Sequence, residues 1–131
     1  MSARAAMLSA VMTEADFVRS LADEAPEVRG LVDEHLRDQS GELLLHLLVA
    51  DVRRAAVDAF QQGDGDLLRR LLDLLDRSLR EGDERVENAV AVSFVEDAGW
   101  WDPAMRPFID AWPAALRAEA QRQQGGDPPR S

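Results

Sequence analysis

Residues 42–60 have the sequence ELLLHLLVADVRRAAVDAF, the most apolar segment of the chain. A segment of about 19 residues is long for a strand, and as a helix it is apolar on most sides. A helix of this kind is usually central in a bundle, because it must be covered from several directions. Asp51 within it is expected to be paired, either with Arg54 as a local partner or with an arginine of another helix. The segment therefore predicts a central helix around which the rest of the chain packs.

Apolar residues recur at helical spacing on both sides of this segment, and no clean alternation of period two appears. After Gly63-Asp64-Gly65, leucines at i, i+3, i+4, i+7 and i+11 form one stripe in a helix over 66–80. Other helices are expected over 13–24, 26–38 and 84–97, and over 103–123 with an interruption at Pro113. The sequence predicts an all-α fold, a compact bundle of about six helices that is irregular or α-solenoid-like.

The helix over 66–80 carries three acid-before-base pairs at i, i+4. Each pair contributes about 0.2–0.5 kcal/mol to an isolated helix. We interpret the three as a solvated face: Asp66 with Arg70, Asp73 with Arg77, and Asp76 with Arg80.

The length of 131 residues suits a single domain. We expect a flexible or helical N-terminal segment over 1–12, one helical domain over 13–123 and a disordered tail over 124–131. The absence of cysteine excludes disulfides, thiolate metal sites and a cysteine nucleophile. No stretch of about 20 residues is free of charge, so a transmembrane helix is not expected. The prediction is a soluble, cytoplasmic protein.

The formal net charge is −10. Nucleic acids and anionic membrane surfaces are therefore disfavoured as partners. A basic or arginine-rich protein is the natural electrostatic partner, although acidity also serves solubility alone. The acidic residues concentrate between Asp23 and Glu42. This stretch as a whole carries half of the net charge. The oligomeric state is not indicated by the sequence.

Common enzyme signatures are missing from the chain. It has no GxxxxGK[ST], GxGxxG, GxSxG or HExxH motif. It also has no lysine, which excludes Schiff-base chemistry and the lysine of a phosphate-binding loop. We therefore assign no catalytic residue and no cofactor, and the sequence favours a binding protein over an enzyme.

Both histidines lie at one predicted helical hairpin. His35 and Asp38 are at i, i+3 on one helix, and Glu42 and His46 are at i, i+4 on the next. If the hairpin brings the pairs together, the four side chains suit zinc or non-haem iron, or general acid–base chemistry. The alternative is a structural role, because acids and histidines also stabilise helix ends. A metal-binding protein or metal-dependent enzyme is the second functional hypothesis.

Two adjacent tryptophans point to a binding surface. Trp100 and Trp101 cannot both face inward easily, so one is expected in the core and the other partly exposed. The acidic residues Glu96, Asp97 and Asp102 surround the pair, and an exposed tryptophan with an acidic rim suits an arginine-rich partner. The first hypothesis is a non-catalytic, acidic protein-binding domain of the immunity, antitoxin or inhibitor type. Its predicted partner-binding residues are Asp33, Glu34, Asp38, Glu42, Trp100 and Trp101.

The sequence of the hairpin is also similar to that of a known family. It resembles the pattern Glu-His-Leu-x-Asp-x-x-Gly-Glu-Leu-Leu-x-His, with a following Asp, of a family of small bacterial helical proteins classed as a domain of unknown function. The matching residues are 34–36, 38, 41–44, 46 and 51, and residues 93–96 are similar to a second block. Leu45 departs from the pattern, which has proline there. The resemblance covers roughly 13–120 and implies a helical domain without an established activity.

Overall fold

The computed structural model describes residues 11–38 and 45–125, without the side chains of residues 35, 36 and 38. This part of the chain is built of helices and short turns, which confirms the predicted all-α, compact fold. None of its helices is both long enough and apolar enough to cross a membrane. The α-helices of the described residues are α1 (Glu14–Glu24), α2 (Arg29–Asp38), α3 (Leu45–Gln62), α4 (Gly65–Glu81), α5 (Glu84–Ala89), α6 (Arg106–Asp110) and α7 (Ala114–Gly125).

Tighter and wider turns connect these helices. The chain is 3₁₀-helical over Pro26–Val28, Glu96–Ala98 and Pro103–Met105. A π-helical turn over Val90–Val95 continues α5, where the sequence predicts an uninterrupted α-helix over 84–97. The periodicity of apolar residues could not reveal this turn, because one inserted residue changes the helical repeat only locally.

Helix α3 occupies the centre of the core, as its apolar sequence predicts. It packs chiefly against the π-helical turn and against α4. Leu48, Val49 and Val52 are fully buried on α3, and the leucine stripe of α4 faces them. Burial of side chains of this size contributes about 1.5–3 kcal/mol each, so this packing is the main source of stability.

The predicted helix ends are largely those of the structure. Thr13 and Asp16 form a reciprocal capping box at the start of α1, with N···O distances of 3.1 and 3.2 Å. Asp83 caps α5 by accepting a hydrogen bond from the backbone N–H of Val86 at 3.0 Å. Gly99 adopts a left-handed conformation, with φ of 79°, just past the 3₁₀ turn Glu96–Ala98. These ends follow from local sequence signals.

Met12, two residues before α1, is tied to the end of α4. The backbone N–H of Met12 donates to Glu81 O at 2.7 Å, and Met12 O accepts from Asp83 N–H at 2.9 Å. Its side chain is buried. A Cβ atom at Gly82, between Glu81 and Asp83, would come within 2.4 Å of Ser78 O, so a larger residue would clash with the last turn of α4. The contact fixes where α1 begins on the core.

The interpretation of the α4 ion pairs as a solvated face is only partly right. Arg70 does bind Asp66, but it also donates to both carboxylate oxygens of Glu27, at 2.8 and 2.6 Å. Arg77 binds Glu24 at 2.7 Å instead of its predicted partner on α4. These two arginines therefore join α4 to the first helical turns of the chain, an arrangement that i, i+4 spacing cannot predict.

Asp76 is buried, although the sequence places it on the solvated face. Its Oδ1 accepts the backbone N–H of Leu116 at 3.0 Å, and its Oδ2 accepts from Arg80 at 3.2 Å. Helix α7 starts after Pro113, which has no side chain that can cap a helix. The missing N-cap is thus supplied from α4, and a charge buried in this way is compensated on both oxygens.

We predict that Asp76→Ala lowers the free energy of unfolding by about 1–2 kcal/mol, because it leaves the Leu116 N–H without its cap. Asp73→Ala is the matched control, since Asp73 is on the same helix, is exposed and forms no ion pair within the described residues. That control is expected within about 0.5 kcal/mol of wild type. Urea denaturation measures both; equal losses would contradict the capping role.

Acid sensitivity is predicted at Glu27. Hydrogen bonds from Arg70 lower the pKa of Glu27 from 4.5 to about 2. A carboxyl whose pKa is depressed in the folded state stabilises the fold above its unfolded pKa, and the contribution is lost as the pH falls through the folded pKa. The melting temperature of Glu27→Gln should therefore change less than that of wild type between about pH 4.5 and pH 2. Parallel curves would show that the ion pair does not form in solution.

Candidate functional site

The two adjacent tryptophans lie at the centre of a tight turn. Asp102 N–H donates to Gly99 O at 2.8 Å, which closes the turn around Trp100 and Trp101. The side chains therefore leave the backbone in different directions. Trp100 is 8% exposed and Trp101 is 50% exposed. This confirms the prediction that one tryptophan packs on the core while the other reaches solvent.

Trp100 supports Trp101 by direct contact from the side of the core. The Trp100 indole N–H donates to Gln123 Oε1 on α7 at 2.9 Å, which satisfies its one polar group. The two indole rings meet edge to face, with centroids 5.2 Å apart and planes at 82°. This geometry is favourable for aromatic pairs. Because Trp100 is buried, Trp101 is the tryptophan that a partner can contact.

Trp101 borders a surface groove of about 540 Å³ between α3 and the turns that follow α5. The groove has a mixed character, with apolar side chains beside charged ones. Its lining consists of Arg53, Arg54, Val57, Asp58, Asp97, Ala98, Gly99, Trp101, Asp102 and Met105.

The two arginines of the groove already have partners within the protein. Arg53 Nε donates to Ser93 O at 3.2 Å, and Arg54 forms an ion pair with Asp51, the partner that the sequence predicts. Two carboxylates of the lining differ, because Asp58 and Asp97 form no hydrogen bond or ion pair through their side chains anywhere in the described chain. Both are exposed. The groove therefore offers unpaired negative charge beside an aromatic face.

The residues of the predicted acidic hairpin are only partly within the described structure. Asp33 and Glu34 are exposed on α2. Asp38 is the last residue of that helix, but its side chain is outside the described part, and so is all of Glu42. A partner-binding role for these four carboxylates stays a prediction.

The predicted metal ligands are described at one position only. The side chains of His35 and Asp38 and the whole of Glu42 lie outside the described residues. His46 is exposed on α3; its Nδ1 is 3.0 Å from Ser93 Oγ and its Nε2 is 3.5 Å from Asn88 Nδ2. Its ring thus joins α3 to the α5 region. Among the side chains that the structure describes, which exclude those of His35 and Asp38, no three histidine, cysteine or acidic residues gather as a metal would require.

The sequence indicated Trp101 and Asp97 as parts of a binding surface, but the prediction did not include the other wall of the groove. Arg54 and Asp58 are at i, i+4 on α3 and so share a face, which was a usable signal. Gln123 gave no signal, because its contact with Trp100 joins residues 23 positions apart. What the groove can do chemically is bind a cation, by ion pairing and by stacking on the indole face.

Fold and site together define a small all-helical domain with an aromatic, acidic groove. The chain belongs to a family described as a domain of unknown function (DUF7674), which matches residues 18–126. This confirms the predicted membership of a domain-of-unknown-function family. No curated protein matches the chain. No solved structure matches it either.

The two tryptophans should respond very differently to truncation. We predict that Trp100→Ala lowers the free energy of unfolding by about 3–5 kcal/mol, the usual loss for a large buried aromatic residue. Trp101→Ala should lower it by only about 1–2 kcal/mol, because half of its side chain is exposed although its ring packs edge to face on Trp100. Chemical denaturation checks both values. A large loss for Trp101→Ala would make it a structural residue and not a surface kept for binding.

Proposed function

We propose that this chain is a non-catalytic, acidic protein-binding domain of the immunity, antitoxin or inhibitor type, acting in the cytoplasm. In this proposal the groove beside Trp101 receives a basic or arginine-rich segment of a partner protein. The observation that carries the proposal is the half-exposed Trp101 next to the unpaired carboxylates of Asp58 and Asp97.

The chemistry of the groove favours arginine on the partner. A guanidinium group can stack on an indole face while it donates hydrogen bonds to carboxylates in its own plane. Trp101 supplies the face, and Asp97 and Asp58 supply acceptors from opposite walls. The apolar side chains of Val57 and Met105 can cover the methylene stem of the arginine. A tryptophan of this kind is typical of the residues that dominate binding energy.

The charge on the rest of the surface favours the same kind of partner. The net charge of −10 attracts a basic protein over distances longer than contact, which speeds encounter at low salt. Asp33 and Glu34 add exposed negative charge on α2, and Asp38 and Glu42 extend the same acidic stretch in the sequence. We propose that these residues steer the partner, while the groove determines the strength of the complex.

A synthetic peptide of alternating arginine and alanine residues tests the proposal by isothermal titration. Wild-type protein should bind it with an affinity that falls as salt rises. Trp101→Ala should weaken binding at least about tenfold, the effect expected of a dominant interface residue. Leu47→Ala is the matched control, because Leu47 is 48% exposed but lies outside the groove.

The peptide measurements can also refute the proposal. A peptide with glutamate in place of arginine should not bind, since it meets like charge. Equal affinity for the two peptides, or affinity independent of salt, would exclude an electrostatic groove. Equal affinity of Trp101→Ala and Leu47→Ala would exclude Trp101 as the main contact.

A further inference from the structure

We infer that Gln123 is a positioning residue for the Trp101 groove, because it ties the tryptophan turn to the π-helical turn Val90–Val95. The inference concerns how the protein holds Trp101. Its meaning for binding rests on the function proposed above.

The contacts of Gln123 use both ends of its amide. Oε1 accepts the indole N–H of Trp100 at 2.9 Å, and Nε2 donates to the backbone carbonyl of Ala91 at 3.1 Å. An indole N–H can only donate and a carbonyl can only accept, so these partners fix the orientation of the amide. Nε2 also donates to Glu119 Oε2 at 3.1 Å, in agreement with that orientation. A side chain with both a donor and an acceptor is required at this position.

The π-helical turn explains why side chains are needed there. A π turn contains one residue more than an α turn, and its hydrogen-bond geometry leaves carbonyls accessible to other donors. Ala91 O accepts Gln123, and Ser93 O accepts Arg53 Nε from α3 at 3.2 Å. Side chains from two neighbouring helices therefore hold this turn from opposite sides.

The π turn sets the direction of the turns that follow it in the chain. It continues directly into the 3₁₀ turn Glu96–Ala98 and then into the turn of Trp100 and Trp101. Relaxation to a regular α-helix would shift the register by one residue, which is a rotation of about 100°. Such a rotation would move Asp97 and Trp101 away from α3. Gln123 opposes it at two points, at the carbonyl of Ala91 and at Trp100.

The experiment uses the full chain with three variants of α7. Gln123→Leu removes all three side-chain hydrogen bonds of Gln123 with little change in volume. Gln123→Glu, made together with Glu119→Gln so that no two carboxylates meet, keeps an acceptor for Trp100 but loses the donor for Ala91 O, so it separates the two contacts. Gln124→Leu is the control, because Gln124 is exposed and is not hydrogen-bonded through its side chain in the described structure.

Two measurements follow the variants. Nitrogen-15 NMR of the indole groups reports hydrogen exchange at Trp100 and the order of the Trp101 ring without any ligand. We expect about fivefold faster Trp100 exchange in Gln123→Leu, as for loss of one hydrogen bond, and a less ordered Trp101 ring. In Gln123→Glu the Trp100 indole should stay protected while Trp101 still loses order. The arginine–alanine peptide should bind both variants about fivefold more weakly than the Gln124→Leu control.

Each result decides the inference. If the Trp101 ring stays ordered in Gln123→Leu, Gln123 is not a positioning residue. If it stays ordered in Gln123→Glu, the hydrogen bond to Ala91 O in the π turn has no role in positioning Trp101. Circular dichroism identical to wild type shows that a loss of order is local. If the wild type fails to bind the peptide, the proposed function fails, and the NMR order of Trp101 still decides the role of Gln123. If wild type and Gln123→Leu bind equally, the positioning role fails and the proposed function stands.

Discussion

Burial of α3 is the constraint on which the rest of the structure depends. This helix is apolar on most sides, so it must be covered by several elements at once, and the π-helical turn and α4 provide most of that cover. The turn after α5 is held against α3 by Arg53 and by the contact between His46 and Ser93. The groove beside Trp101 lies between α3 and the turns that follow the π turn.

Polar contacts between helices determine how the outer elements are placed on this core. Arg70 and Arg77 of α4 join the first helices to the centre, and Asp76 caps α7 from the side. A buried carboxylate of this kind is stable only because both of its oxygens are hydrogen-bonded. In the sequence these three residues belong to i, i+4 pairs on α4. Their contacts with other helices contribute more to the structure than those i, i+4 pairs do.

The candidate site combines a rigid support with unpaired charge. Trp100 and Gln123 hold the turn from inside, whereas Asp58 and Asp97 face solvent without a partner among the described residues. The two arginines of the groove are already bound within the protein, so neither of them neutralises Asp58 or Asp97. This asymmetry is the physical basis of the proposed binding of a basic protein, and Gln123 is the residue that makes the surface a fixed one.

The sequence by itself determined the all-helical class, most helix ends and the divergence of the two tryptophans, since these follow from periodicity, capping residues and local turns. It also indicated the acidic surface, which depends on composition alone. Only the tertiary structure decided that Asp76 is buried, that Arg70 and Arg77 reach other helices, and that Gln123 supports Trp100. Those contacts join residues 23 to 53 positions apart. No local pattern encodes such pairings, because they depend on how the helices pack around α3.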